Sequence, residues 1–374
     1  MTLKVYAQDM TPLGLAEDFT TVTWTRRARE PSECEIVLPV SSLAVDLLEV
    51  GNIVMKLEDT TGEAMQIESR TIEMDDEGRE TLTVKARGLM AWLSRRVNLA
   101  AYDETTDMTP QDIAYMLIRQ NATQPSANKR KLPLILNTRA SFGQDEVTFS
   151  ASEYQDICDL VADQLEEGEM NLFVTTDPAA GTHTLDIRQA VDKTATSAEP
   201  VLISIDFGTL ATPKITETRE PYKNIAYVEG GDDDIAAVES GEDTTVAGID
   251  RFEMGVTASD IKKTWTDSGG TEHTRTAAKV RTLLGKRGRR ELARACSEMT
   301  SFEGEVVQSD GLQYGRDYDV GDRVTCLYRG IQMDATITEI SEDYGEGGVR
   351  TIHAVLSDGT YSLKRAIQLA AKRI

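Results

Sequence analysis

YGRDYDVGDRVTCLYRG, Tyr314 to Gly330, is the stretch from which the fold can be read. Asp319-Val320-Gly321-Asp322 has the composition of a tight turn, because Asp and Gly tolerate the backbone dihedrals a chain reversal needs. Arg323 to Tyr328 then resumes strand composition. A second apolar run, Met333 to Ile340, follows, and the Gly-rich EDYGEGG of Glu342 to Gly348 closes it. A Gly-Asp turn that opens a strand is a structural device and carries no catalytic group of its own.

The chain says something similar once before. Val50-Gly51-Asn52-Ile53-Val54-Met55-Lys56-Leu57 matches Val320-Gly321-Asp322-Arg323-Val324-Thr325-Cys326-Leu327. Each copy continues through a short Gly turn (Gly62; Gly330) and a strand with a methionine (Met65; Met333). An Ile-Glu or Thr-Glu-Ile segment comes next (Ile67-Glu68; Thr338-Glu339-Ile340). An acidic Gly turn (Asp75 to Gly78; Asp343 to Gly348) then leads to a strand ending near Gly88 or Gly359. Internal repetition decides architecture, so two copies about 270 positions apart predict two similar β units.

Composition sets the outer limits. With 374 residues the chain is long enough for two or three domains. The formal net charge of -23 argues against wrapping nucleic acid by phosphate neutralisation, which needs a basic surface. It favours solubility, repulsion of DNA or a basic partner. Cys34, Cys158, Cys296 and Cys326 have no C-x-x-C spacing and read as buried thiols. The opening MTLKVYAQDM has no apolar core of a signal peptide, and no window reaches membrane-spanning length.

Residues 1–98 read as mostly β, with a short helix expected over Val40 to Leu48. Residues 99–200 change character. Thr109 caps and Pro110 opens a helix, Ser152 is expected to cap a second one ending at Gly168, and Met170 to Thr175 pairs with His183 to Arg188. Asp192 to Pro200 reads as a linker. Residues 201–361 return to β character, with a strand at Asn224 to Glu229 and a mobile acidic loop at Gly230 to Thr245. A long helix spans 277–299, which Gly285 and Gly288 are expected to weaken or break. Residues 362–374, SLKRAIQLAAKRI, read as a basic amphipathic helix.

The search for chemistry returns little. His183, His273 and His353 have no ligand partner at helical metal spacing, and no nucleophile, phosphate or dinucleotide motif occurs. Asp232-Asp233-Asp234 lacks the alternating order of a calcium loop. No catalytic residue, cofactor or metal ligand is assigned. Two basic patches instead suggest docking on an acidic neighbour, such as another copy of the chain. They are Lys286, Arg287, Arg289 and Arg290, and, in the terminal helix, Lys364, Arg365, Lys372 and Arg373. Two other classes are weaker. A cell-wall-cleaving enzyme would use Asp317, Asp319 and Glu339, which turn and strand roles already explain. An adhesin would need clustered aromatics, whereas Trp24, Trp92 and Trp265 lie far apart.

The stretch from Tyr314 to Gly348 resembles the C-terminal β unit of long-tailed phage tail-hub proteins, the baseplate-hub or tail-associated (Tal-like) family. Tyr314, Gly315, Asp317, Tyr318, Gly321, Asp322 and Val324 match its Tyr-Gly-x-Asp-Tyr-x-x-Gly-Asp-x-Val start, and Ile337 and Glu339 its Ile-x-Glu strand. Thr23 to Arg27, Gly51-Asn52, Ile67-Glu68-Ser69 and Gly88 through Arg96 are similar to the family's opening domain. The resemblance implies a β-rich α+β fold: two tube-protein-like barrels or sandwiches flanking a small α+β domain. It further implies a non-enzymatic homotrimer whose two tube-like domains per chain make a pseudo-sixfold ring. Such a ring joins the tail tube or distal tail protein to tip or fibre proteins in the virion and passes DNA through its lumen. Many members continue into a peptidase, lysin or fibre region, whereas this sequence ends at Ile374.

Overall fold

The structure, a computed structural model, describes residues 1–357 except 59–60, 145, 218–221, 234, 260, 267–271, 298–299 and 346–349. The basic helix expected over 362–374, with its four cationic residues, lies outside the described residues.

A 14-stranded sheet dominates. Its main path runs through Leu210–Glu217, Thr300–Val306, Arg350–Ser357, Ile331–Tyr344, Thr21–Arg27 and Glu33–Pro39. It continues through Glu80–Gly88, Met65–Met74, Ile53–Lys56, Leu3–Tyr6 and Pro12–Ala16. Arg323–Tyr328 pairs with the first half of Ile331–Tyr344. The expected linker is partly strand, since Asp192–Lys193 runs parallel to Arg323–Val324 and Leu202–Ser204 to Thr325–Leu327.

The repeat is present at the level of individual hydrogen bonds. Gly51 N donates to Ile67 O at 2.9 Å, and Gly321 N to Ile337 O at 2.7 Å. Ile67 N donates to Asn52 O at 2.8 Å, and Ile337 N to Asp322 O at 2.9 Å. Gly51 and Gly321 both take left-handed backbone, with φ of 98° and 88°, a conformation open to glycine and strained for other residues. Both long strands carry a bulge at the same place, between Ile67 and Ser69 and between Ile337 and Glu339. The offset is 270 positions from Glu33–Pro39 through Glu80–Gly88, carrying Cys34↔Ala86 onto Gly304↔Leu356. Register therefore corrects one equivalence: Met65, opposite Val54, corresponds to Ala335, opposite Val324, and not to Met333.

Period-2 patterning explains why these segments are strands. In Glu33–Pro39 the residues Cys34, Ile36 and Leu38 are buried, facing Ala86, Val84 and Leu82 across the pair. Each large side chain so buried contributes about 1.5–3 kcal/mol. The alternate face is polar, with rows such as Thr23–Glu35–Lys85–Ser69.

The middle of the chain packs two helices and a hairpin against the segment Leu89–Arg95. Thr109 caps the helix Pro110–Ile118 as expected, accepting from Asp112 N at 3.2 Å. The second helix is shorter than expected, Ile157–Glu167, and its cap is Asp156, not Ser152. The Asp156 carboxylate accepts from Cys158 N at 2.7 Å and Asp159 N at 3.3 Å. The hairpin pairs Met170–Asp177 with Thr182–Gln189. Val40 to Leu48 forms successive turns instead of a helix. The serines there bond locally to backbone, as Ser42 Oγ does to Ala44 N.

Between Glu217 and Thr300 a separate three-stranded sheet carries its own helix. Ile225–Gly230 lies centrally, antiparallel to Val238–Ser240 and parallel to Glu253–Ala258. The acidic segment read as a mobile loop thus contains a strand. Ala277–Ser297 is one unbroken helix across this sheet. Its glycines serve close packing: a Cβ on Gly288 would lie 2.6 Å from Ser240 Cβ, and Ser240 Oγ donates to Gly285 O at 2.8 Å.

Candidate functional site at the joint of the two β units

The two β units meet along a single strand pair. Thr21–Arg27 lies antiparallel to the second half of Ile331–Tyr344, with Thr25 opposite Ser341 and Arg27 opposite Glu339. On the solvent face, Thr23 Oγ1 donates to Asp343 Oδ1 at 2.6 Å, Thr25 and Ser341 share a 2.8 Å bond, and Arg27 Nε donates to Glu339 Oε2 at 2.8 Å.

Alternation turns Trp24 and Arg26 to the other, buried face. Arg26 donates from Nη1 to Tyr314 Oη at 2.6 Å and to Asp319 Oδ1 at 2.7 Å. Its Nε lies 3.3 Å from Glu63 Oε2, an attraction without hydrogen-bond geometry. Glu63 also accepts from Trp24 Nε1 and Ser32 Oγ, both at 2.8 Å. Burial opposes charge on Arg26, but Glu63, Tyr314 and Asp319 outweigh it and raise its pKa. Burial likewise raises Tyr314.

A second buried pair lies beside the first. Lys56 Nζ is 2.6 Å from Glu342 Oε1 and 5.2 Å from the Trp24 ring centre. Tyr344 Oη and Arg350 Nε donate to Glu342 Oε2 at 2.6 and 3.0 Å. Burial alone would raise the Glu342 carboxyl; Lys56, Tyr344 and Arg350 together hold it below the usual carboxylate range.

The turn that the sequence singled out is built into this joint. Asp319 accepts from its neighbour Val320 N at 2.7 Å as well as from Arg26. Asp322 Oδ2 accepts from Asp319 N at 2.9 Å and lies 3.3 Å from Lys193 Nζ; burial pushes this carboxyl up. Gly321 O accepts from Asn171 Nδ2 at 3.1 Å, tying the turn to the hairpin. Tyr318 is buried, which raises it to about 12. Gly315 turns the chain with φ of 80°, and half-buried Asp317 pairs with Arg316 at 2.6 Å.

Other sequence-flagged residues lie elsewhere. Gly51 and Asn52 form the equivalent turn of the first unit, where Gln66 Nε2 donates to Gly51 O at 2.8 Å. Lys286, Arg287, Arg289 and Arg290 sit on the helix of the separate small sheet, with Lys286 and Arg289 exposed. His183 is buried. It bonds Thr176 Oγ1 through Nδ1 at 2.9 Å and meets the Trp92 ring edge-on. Glu63, Lys56 and Glu342 were not singled out by sequence. Lys56 and Glu342 are 286 positions apart, and Glu63 meets Arg26 from another strand, so only their charge on strand-like segments could have pointed to them.

A cleft of about 570 Å3 opens beside the joint, lined by Arg26, Glu63, Phe173, Lys193 and Asp319 among others. Within it Arg26 pairs with Glu63 and Asp319, and Lys193 with Asp322, and no histidine or cysteine lines it. No group of three or more metal-ligating side chains occurs among the described residues, and none of their helices is long and apolar enough to cross a membrane. What this arrangement does chemically is lock two sheets in one register.

That construction places the chain in the fold of phage tail proteins. The 43 kDa tail protein of prophage MuSo2 from Shewanella oneidensis superposes with a TM-score of 0.55 at 14% identity, over 96% of this chain and 97% of its own. Prophage tail protein gp18 of Listeria monocytogenes gives 0.55 at 10% identity, over 100% and 99%. A tail protein of Neisseria meningitidis MC58 gives 0.54 at 12%, over 96% and 98%. No functionally curated protein matches the sequence. The chain belongs to the siphovirus ReqiPepy6 Gp37-like family, whose model matches residues 2–356.

Proposed function

We propose that this protein is a non-enzymatic structural hub of a phage tail tip. Three chains would form a ring in which the tube-like units of residues 1–98 and 201–361 alternate as six quasi-equivalent positions. The ring would adapt a sixfold tail tube or distal tail protein on one side to a tip or fibre protein on the other. One observation carries this reading: two β units with the same register at a constant offset, joined edge to edge within one chain. Closed rotational symmetry is the usual way such a repeat is completed. The polar outer face of the sheet and the net charge of -23 fit a lumen that repels DNA in transit. The exposed cations Lys286 and Arg289, with the basic terminal segment, are proposed contacts to acidic neighbours.

The test is mass and symmetry together. Light scattering and negative-stain class averages of the purified chain, alone and with its cognate tube protein, should give threefold rings with a central hole. A chain that stays monomeric under both conditions overturns the hub.

A further inference from the structure

The internal joint has a vacant counterpart, and its position gives the residues that should meet between chains. In Ile331–Tyr344 the edge away from Arg350–Ser357 is filled twice, by Arg323–Tyr328 along its first half and by Thr21–Arg27 along its second. In the equivalent Met65–Met74, Ile53–Val54 fills the first half, but Ser69 to Met74 pairs only with Glu80–Gly88 among the described residues. The equivalent of Thr21–Arg27 is Leu210–Glu217, which pairs with Thr300–Val306 on one side and, among the described residues, ends the sheet on the other. One copy of the joint is made within the chain. The second copy has both its halves, at edges separated by six strands.

Side chains at the open half agree. Ile72 and Met74 stand where Glu342 and Tyr344 stand in the closed joint, on the face that Trp24 and Val22 cover there. Here they are 56% and 64% exposed. An extended edge with apolar side chains is a template for another strand.

We propose that Leu210 to Thr216 of one copy pairs antiparallel with Ser69 to Met74 of the next, in the register of the internal joint. This rests on the ring reading and deepens it. Superposing the two joints puts Lys214 opposite Thr71, as Thr25 is opposite Ser341, and Ala211 opposite Glu73, as Thr23 is opposite Asp343. The extra residue at Thr212-Pro213, where Thr212 has φ of 46°, is a bulge between the two paired segments. It also restricts the edge, since a bulged strand with a proline is a poor partner for an arbitrary strand.

Directly opposed residues in an antiparallel pair bring their Cα atoms to about 4.5–5.5 Å, within disulfide reach. Two double variants place cysteines in register, T71C with K214C and E73C with A211C, and S69C with A211C is out of register. All are made in the full chain, checked for folding by circular dichroism, and oxidised under the assembly conditions above. The expected result is a three-chain covalent band from both in-register pairs, reversed by dithiothreitol, and little from the third. Threefold particles whose in-register pairs do not cross-link, or cross-link no better than the offset pair, overturn the register and leave the ring standing. Persistent monomer with the tube protein present overturns both.

Discussion

Replacing Arg26 by leucine tests whether the buried charge cluster locks the two β units. The arginine side chain is 7% exposed, Glu63 15% and Asp319 44%. Asp319 can recover water, so its share is that of a surface pair, below about 1 kcal/mol. Glu63 cannot, and removing one partner of a buried pair costs about 3–5 kcal/mol because the other charge is stranded. Tyr314 Oη loses its donor at the same time. The expected loss is therefore about 3–5 kcal/mol, a fall in unfolding midpoint of roughly 4–6 °C for a chain of 374 residues. Circular dichroism melts and the fluorescence of Trp24, whose indole N–H donates to Glu63, give two readouts of the same event. Adding E63Q and D319N to R26L should return most of the loss, since a neutral replacement has no charge to strand. A single variant within about 1 kcal/mol of wild type, or a triple variant no better than the single one, refutes the reasoning.

Lys56→Met should cost about 1.5–3 kcal/mol near pH 7, because Glu342, 2% exposed, keeps Arg350 and Tyr344 but loses its other charged partner. Lys56 helps hold the folded-state pKa of Glu342 below 4.5. The stability it supplies is therefore complete above that pH, and the difference between wild type and variant should shrink as acid titrates the carboxylate; a gap that widens in acid would contradict this. His183 is held below its ordinary 6.5 by burial, so protonation favours the unfolded state and stability should decline as pH falls below that value. Chemical denaturation at pH 7.5 and 5.5 should show a steeper decline for wild type than for His183→Gln. The equivalent turn glycines should diverge: Gly51→Ala meets no atom within 4 Å and carries only left-handed strain, about 1–2 kcal/mol. Gly321→Ala also drives its Cβ to 2.2 Å from Asn171 Nδ2, so its melting point should fall further than that of Gly51→Ala.

Local signals in the sequence were those governed by nearest neighbours. The Gly51 and Gly321 turns, the Thr109 cap, the alternation of Cys34 to Leu38 and the repeat itself were all readable, because each depends on a few adjacent residues. Boundaries failed where two local options competed, as with Ser152 and Asp156, both good caps, of which the one next to Ile157 prevails. Gly285 and Gly288 were misread because propensity sees a helix breaker, whereas tertiary packing sees room for Ser240. The joint was invisible for a different reason. Arg26 and Asp319 lay in flagged segments, but nothing local to either says that they meet across 293 positions, and Glu63 looked like one more residue of a polar turn.

The chemistry of the two joints also explains how one sheet can carry two such similar edges without exchanging them. Within the chain, the core face of the joint holds Arg26, Lys56 and Glu342. At the proposed joint between chains, the equivalent positions are Ile215, Cys326 and Ile72. If strand Leu210–Glu217 displaced Thr21–Arg27 from Ile331–Tyr344, Glu342 would lose Lys56 and Asp319 would lose Arg26. If Thr21–Arg27 instead paired with Ser69 to Met74 of a neighbour, Lys56 would face Ile72 in place of the carboxylate of Glu342. Either exchange strands a buried charge at a cost of several kcal/mol, while the correct pairings strand none. In the proposed ring, charge at one joint and its absence at the other would act together as an address: the charged joint would close within the chain, and the apolar one would be left for assembly.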